Sequence, residues 1–409
     1  MHKKVLILLI SILFLFLILL SCDFQESSKS EKSRHHSSNS SNDNNINYNN
    51  NTDNTNDDDP NNTNPPIKEI VFTTSGDTFS PLIEVTGNPE ILWTWADNTT
   101  SDLTHPTKDY GSPDIRVNKL RVTPWSDVVQ INIGYDGGDG GNASIDHIDN
   151  QNVVSVEGLE VVSKFLKQWC SSYNNITSLD FSNFVQLDTI ECYLSGSLTN
   201  VNLTNTPLLQ RACFENCDLE SLDLSECPSL RDLRGALNAF STINFGNIGS
   251  DVWHICIRNN SQMTNRNMFE NTTQFPNIAE LYIWSDNQTG ELNISSTSKT
   301  RSISILASGN QYTTANFTGA LQNSSGNGRI DLSNNHLTSL IITGCSQLTN
   351  LNASYNDLDS NAIDLILQEL DNLGRTGGTV NLTNNEPPGV SGLACVDNLR
   401  IKSWTVDVD

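Results

Sequence analysis

"LESLDLSECPSLRDL", Leu219 to Leu233, packs four carboxylates, a thiol and serine hydroxyls into one short stretch. Read as chemistry, it offers Asp223, Ser225, Glu226 and Cys227 as acid, nucleophile or metal ligand. Read as architecture, Leu219, Leu222, Leu224, Leu230 and Leu233 stand at offsets of 3, 2, 6 and 3. The surrounding sequence decides between the two, because the same spacing returns along the chain. Apolar anchors recur at Trp169, Ile190, Ala212, Leu233, Ile255, Leu281, Ile305, Ile330, Leu351 and Val380. Their intervals are 21, 22, 21, 22, 26, 24, 25, 21 and 29 residues. Five positions after each anchor stands Asn174, Ser195, Cys217, Asn238, Asn260, Asp286, Asn310, Asn335, Asn356 or Asn385. A fixed offset repeated this often is a repeat, and periods of 20 to 50 residues signal solenoids or arrays.

Each repeat also carries a second short unit: "TSLDFS", "TNVNLT", "ESLDLS", "STINFG" or "TSLIIT". The pairs Leu179/Phe181, Val201/Leu203, Leu222/Leu224, Ile243/Phe245 and Leu340/Ile342 alternate as one buried strand face requires. Together the two units resemble the leucine-rich repeat, in the short extracellular form of internalin-type bacterial surface proteins. The resemblance covers about Val153 to Asp409. It implies a mainly β solenoid of about ten rungs with a long parallel sheet, and a binding task at a cell surface. Turns of about 21 residues cannot bury an apolar face alone, so neighbours must stack. Corner asparagines are expected to bond backbone groups left unpaired at the bend. Wider intervals leave room for helices, best seen in "NAIDLILQELDNLG", where Ile363, Ile366, Leu367, Leu370 and Leu373 share a face. "GLACVDNLRIKSWTVDVD" reads as helix then strand, the closing cap of an array running over 125–409.

Ahead of the array, residues 67–124 read as a small β-rich, sandwich-like domain. Ile91, Trp93 and Trp95 alternate in "EILWTWADNTT", with turn signals at Thr74–Gly76 and Gly87–Pro89. "WTWADNTTSD" followed by "HPTKDYGS" resembles a PKD-like β-sandwich, with Ala96 where that pattern has glycine. "VVQINIGYD", Val128 to Asp136, fits the rung template as a first turn.

The N-terminus, "MHKKVLILLISILFLFLILLSC", has a basic start, an apolar run and a small residue before Cys22. It resembles a bacterial lipobox, so residues 1–22 are expected to be a lipoprotein signal peptide with Cys22 as the lipid-bearing residue; the alternative is an uncleaved membrane anchor, the apolar run being just short of a full span of roughly 20 residues. Residues 23–66 are Asn, Ser, Asp and Thr with Ile46 and Tyr48 as isolated exceptions, too little apolar surface to fold; they are expected to be a disordered tether. The rest is therefore placed outside the cytoplasm, on a membrane through the lipid.

The net charge of −24 argues against nucleic acid, which needs clustered Lys and Arg. Beyond Cys22, eight cysteines remain without a C-x-x-C pair. Those sharing a column (Cys170, Cys213, Cys256) lie two rungs apart, too far for a bridge; they read as small fillers with free thiols. No G-x-S-x-G, H-E-x-x-H or phosphate-binding glycine loop is present. "YDGGDGGNAS", Tyr135 to Ser144, lacks the alternate-residue spacing of a calcium loop and reads as a turn. His336 reads as a solvated loop residue. No cofactor, metal or catalytic residue is expected, and the chain is expected to be monomeric and not an enzyme.

What remains is the outward face of the rung strands, one before, one after and three after each anchor. It places Arg211, Asp232, Arg234, His254, Arg258, Glu280, Tyr282 and Trp284 together, aromatics beside arginine as in binding hot spots. These residues are the candidate ligand site, for a protein or glycan at the cell surface. The alternatives are a structural envelope lipoprotein without a dedicated ligand and an accessory carbohydrate-binding module.

Overall fold

A computed structural model describes residues 68–409 apart from 135–150, 247, 265–266, 271–274, 295–296, 299 and 323–325. Cys22, the leader, the tether and the glycine-rich Tyr135–Ser144 stretch lie outside the described residues.

The array is a leucine-rich-repeat solenoid. A 13-stranded sheet runs its length, and every strand but the first, Leu82–Val85, is parallel to its neighbours. The anchors pair in register, Trp169 with Ile190, Ala212 with Leu233, Ile255 with Leu281, on to Val380 with Val406. The sheet extends past the ten counted anchors at both ends. Val128–Asn132 pairs with Gln168–Cys170 as a first rung, and the strand of the closing cap, Trp404–Asp407, joins as the last. The opposite side carries short ladders, Ser178–Asp180 with Asn200–Asn202 and Ser221–Asp223 with Thr242–Asn244. Between the sides lies one continuous apolar core, from Ile70 to Val406.

Two devices turn the chain at each rung. The residue four after every anchor, from Tyr173 to Asn384, has positive φ, between 54° and 66°. Asn216, Asn259, Asn334, Asn384 and Gly309 suit this left-handed conformation; Tyr173, Leu194, Leu237, Ser285 and Tyr355 bear its steric cost. The corner side chain that follows then satisfies the bend. Gly235 O accepts from Asn238 Nδ2 (3.2 Å) of its own rung and Asn260 Nδ2 (3.0 Å) of the next. Ala307 O, Leu332 O and Ala353 O are each shared in the same way. The amide oxygens meanwhile accept backbone N–H groups, as Asn310 Oδ1 does from Asp286 and Gln288. The expected backbone role of the corner asparagines is thus realised as a ladder that uses both lone pairs of its carbonyls.

Asp286 is the irregular step. Its Oδ1 accepts the Asn260 N–H at 2.8 Å, but Oδ2 is buried with no hydrogen-bond partner. Burial pushes its carboxyl well above the ordinary range, against the pull of the Asn260 bond and the Arg258 charge. Gln288 Oε1 and Tyr312 Oη are likewise buried and unpartnered.

In the N-terminal part, Thr100–Ser101, Glu90–Thr94, Arg116–Thr123, Ile70–Thr74 and Val153–Glu157 form a five-stranded antiparallel sheet in that order. The last of these comes from beyond residue 124. Trp93 and Trp95, stacked 5.6 Å apart, are buried beside Phe72 and Phe79. At the far end, the helix Ser360–Asn372 buries Ile363, Ile366, Leu367 and Leu370. Asp359 caps its start by accepting the Ala362 N–H at 2.7 Å. The helix Val390–Ile401 then leads into the final strand. No helix among the described residues is long and apolar enough to cross a membrane.

Candidate binding face

Because strands alternate, the anchors bury their side chains and the flanking residues all project from the opposite, concave side of the sheet. The residue one before each anchor forms one column, Arg211, Asp232, His254 and Glu280 on consecutive strands. The residue one after forms a second, Cys213, Arg234, Cys256 and Tyr282. Parallel strands stand about 4.8 Å apart, so each side chain touches those on the rungs beside it.

That crowding corrects one expectation. The face is not uniformly exposed: Asp232, His254 and Arg258 keep only 6%, 5% and 7% of their surface. Cys170, Cys213 and Cys256 are buried too. Long neighbours close over short ones, and a small side chain between Glu191 and Arg234, as at Cys213, keeps little contact with water. Burial drives the Cys213 thiol far up and the Cys217 thiol to about 12, so both stay neutral and unreactive. No disulfide joins the eight described cysteines, and Cys395 alone among them is not fully buried.

Across these two columns runs a chain of alternating charge. Arg211 Nε lies 3.3 Å from Glu191 Oε1 and 4.0 Å from Asp232 Oδ2. Asp232 Oδ1 accepts from Arg234 Nε at 3.4 Å and meets His254 Nδ1 at 2.7 Å. Burial raises the Asp232 carboxyl, but the His254 bond and the charges of His254, Arg234 and Arg211 outweigh it, and the carboxyl titrates below its ordinary value. On its other side, His254 Nε2 is 3.8 Å from Glu280 Oε2 and has no hydrogen-bond partner. An imidazole oriented by a carboxylate could serve a nucleophile, but here its free nitrogen faces a second carboxylate.

Aromatic rings frame this row. Trp253 stacks on His254 at 5.4 Å, and Tyr282 meets the imidazole edge-on at 5.6 Å. Trp284 lies 5.9 Å from Tyr282 and under the Arg258 guanidinium at 5.1 Å. Arg258 reaches across the rung where Ala236 leaves room and donates through Nη2 to Glu215 at 2.6 Å. Arg301 covers the Trp253 ring at 3.8 Å. The eight residues chosen from the sequence therefore do meet in one patch. Glu191, Trp253 and Arg301 belong to it as well and were missed; Glu191 fills the second column in the adjacent rung, a signal the register already carried. Arg301 follows an insertion, and its position has no fixed offset. His336 sits apart, 66% exposed at its side chain and 3.3 Å from Asp357. Among the described residues, no three His, Cys, Asp or Glu side chains are placed to hold a metal.

No known family profile and no curated protein sequence matches the chain. Among solved structures, the functional domain of InlJ from Listeria monocytogenes, which includes a cysteine ladder, is similar at 21% identity and a TM-score of 0.42, over 65% of this chain and 51% of that one. An internalin, InlF, from the same organism is similar at 13% identity and a TM-score of 0.37, over 69% of this chain and 85% of that one. The chain thus spans about half the length of the InlJ chain it matches.

Proposed function

We propose that this chain is a surface adhesion protein that grips a macromolecular partner through the concave face centred on Arg211 to Trp284. The observation that carries the reading is the patch itself: half-exposed Tyr282 and Trp284 held beside a fixed network of three arginines, a histidine and four carboxylates. Such a surface presents rigid aromatic anchors and pre-oriented charges, so little side-chain freedom is lost on binding. Its balanced charge favours a protein partner of matching pattern over a polyanion. In the same reading, Cys22 carries the lipid and residues 23–66 hold the array off the membrane.

The test replaces Arg234, His254, Arg258, Tyr282 and Trp284 together with Ala or Ser in the full chain. Binding to a displayed library of surface proteins and glycans is then compared with the parent, with melting temperature followed in parallel. Adhesion through this face requires that the parent captures partners and the folded variant loses them. Equal capture by both, or none by the parent, would move the reading to a structural envelope component.

A further inference from the structure

A second polar surface lies farther along the array and is separate from the patch above. It is a groove of about 470 Å³ at the rim of the rungs Gly328–Asp331, Leu348–Asn352 and Gly378–Asn381. Asn327, Arg329, Asn350, Arg375, Thr376 and Thr379 line it, the remainder being Thr349 and glycine. No lining residue is acidic, and none is aliphatic or aromatic. In a chain of net charge −24, two arginines without a lining carboxylate are unusual.

Arg375 carries the argument. Its guanidinium is held by neutral acceptors only. Nη1 donates to Ser346 O and Gln347 Oε1, both at 3.0 Å, and Nη2 makes one long bond of 3.4 Å to Asn327 Oδ1. Nε is buried with no partner. No described carboxylate lies within ion-pair distance of it. The side chain is fixed, because Ser346, Gln347 and Asn327 come from turns its own turn packs upon, and its carbonyl accepts from Trp404 Nε1 at 3.0 Å. Arg329 reaches the same groove, with Asp331 Oδ2 at 3.9 Å as a partial counter-charge. A guanidinium fixed this way, half-buried and without a counterion, presents its Nη2 end, held by only one long bond, to an oxyanion at no further ordering cost.

We propose that this groove binds a saccharide bearing a single carboxylate, with Arg375 and Arg329 on the carboxylate and the Asn and Thr side chains on the hydroxyls. The lining excludes an apolar peptide, which would find nothing to bury against. The acidic field of the chain disfavours a polyanion, whereas one carboxylate within a Debye length of two arginines is attracted locally. This assignment stands whether or not the central patch binds a partner.

Ligand titrations by NMR or calorimetry on the full chain test it, with sialyllactose as the probe, lactose as its uncharged counterpart, acetate as a free carboxylate and a one-glutamate peptide as the alternative class. Sialyllactose should bind in the millimolar range, on the order of 1 mM, with lactose, acetate and the peptide each at least ten times weaker. Arg375→Gln and Arg329→Gln should each weaken sialyllactose at least tenfold. Arg329→Gln is the variant that spares the bonds Arg375 makes to neighbouring turns, so a fold defect in one does not mask the other. Absence of sialyllactose binding, equal binding of any comparison compound, or wild-type affinity in a folded Arg329→Gln variant would overturn the proposal.

Discussion

Asp223 and Asp232 sit nine residues apart in the same short stretch, yet the two sides of the rung give them opposite work. Asp223, on the convex ladder, is exposed and closes its own turn, its Oδ1 accepting the Ser225 N–H at 2.9 Å and, from the next rung, Asn244 Nδ2 at 3.2 Å. Its column repeats that job: Asp180 accepts from Ser182, Asn202 from Thr204 and Asn244 from Gly246. Asp232, on the concave sheet, is buried and joins side chains from three rungs. One carboxylate caps an exposed turn with a single bond to the next rung, and the other ties buried charges across three rungs; the column, not the residue type, assigns the role.

Four substitutions put this comparison at risk, and the corner ladder should be affected most. Asn260→Ala removes the bonds to Gly235 O and Ile257 O and the acceptor of the Asn238 N–H together, and should cost about 3 to 4 kcal/mol in a urea titration. A loss below about 1 kcal/mol would mean the ladder is ornamental. Next, Asp232→Ala strands His254, Arg234 and Arg211 on a buried face and should cost about 3 kcal/mol. Third, Asp286→Asn should stabilise the chain at pH 7, by about 2 kcal/mol, because an amide supplies the N–H this step lacks. Asp223→Ala should come last, at about 0.5 kcal/mol, and if it equals Asp232→Ala the distinction between the faces fails.

The two buried acids also predict opposite responses to pH. Asp232 titrates below its unfolded value, so its contribution is present above the ordinary carboxylate range and disappears as pH falls through its folded value. Asp286 titrates above its unfolded value. Its contribution is present below the ordinary range and is lost as pH rises through the folded value. Melting temperatures of Asp286→Asn and the parent should therefore converge toward acid pH and separate as pH rises. For Asp232→Ala the separation from the parent should shrink at acid pH as well, since the carboxylate that the parent relies on becomes protonated there. A constant gap in either series would remove the linkage.

Much of the fold was legible because the repeat forces it. Anchors such as Leu233 and Ile255 differ in identity but share an offset, and the offset survives every insertion. The closing helix and strand were legible from pattern, yet that Trp404–Asp407 would continue the long sheet was not, since no corner residue marks it. The site was half legible. Columns could be counted, so Arg211 through Trp284 fall on neighbouring strands as the count places them, but burial depends on the width of neighbours. Asp232 and His254 are covered by side chains whose reach the count does not measure. Arg258 bonding Glu215 across Ala236 needs three rungs known at once, and Arg301 over Trp253 needs the path of an insertion.

The corner ladder has a mechanical consequence. In a stack coupled through nearest neighbours, tensile strength is set by the weakest step rather than the mean. Most steps are tied by a primary amide that donates and accepts. At Ser195 a hydroxyl does both with longer bonds, 3.2 and 3.4 Å, and at Asp286 no N–H is offered at all. Under load along the stack, such steps would part before the amide-tied ones. Cys217, whose thiol donates to Cys192 O at 2.9 Å, is a third step without an amide, so the weaker steps both bracket and interrupt the stretch from Arg211 to Trp284.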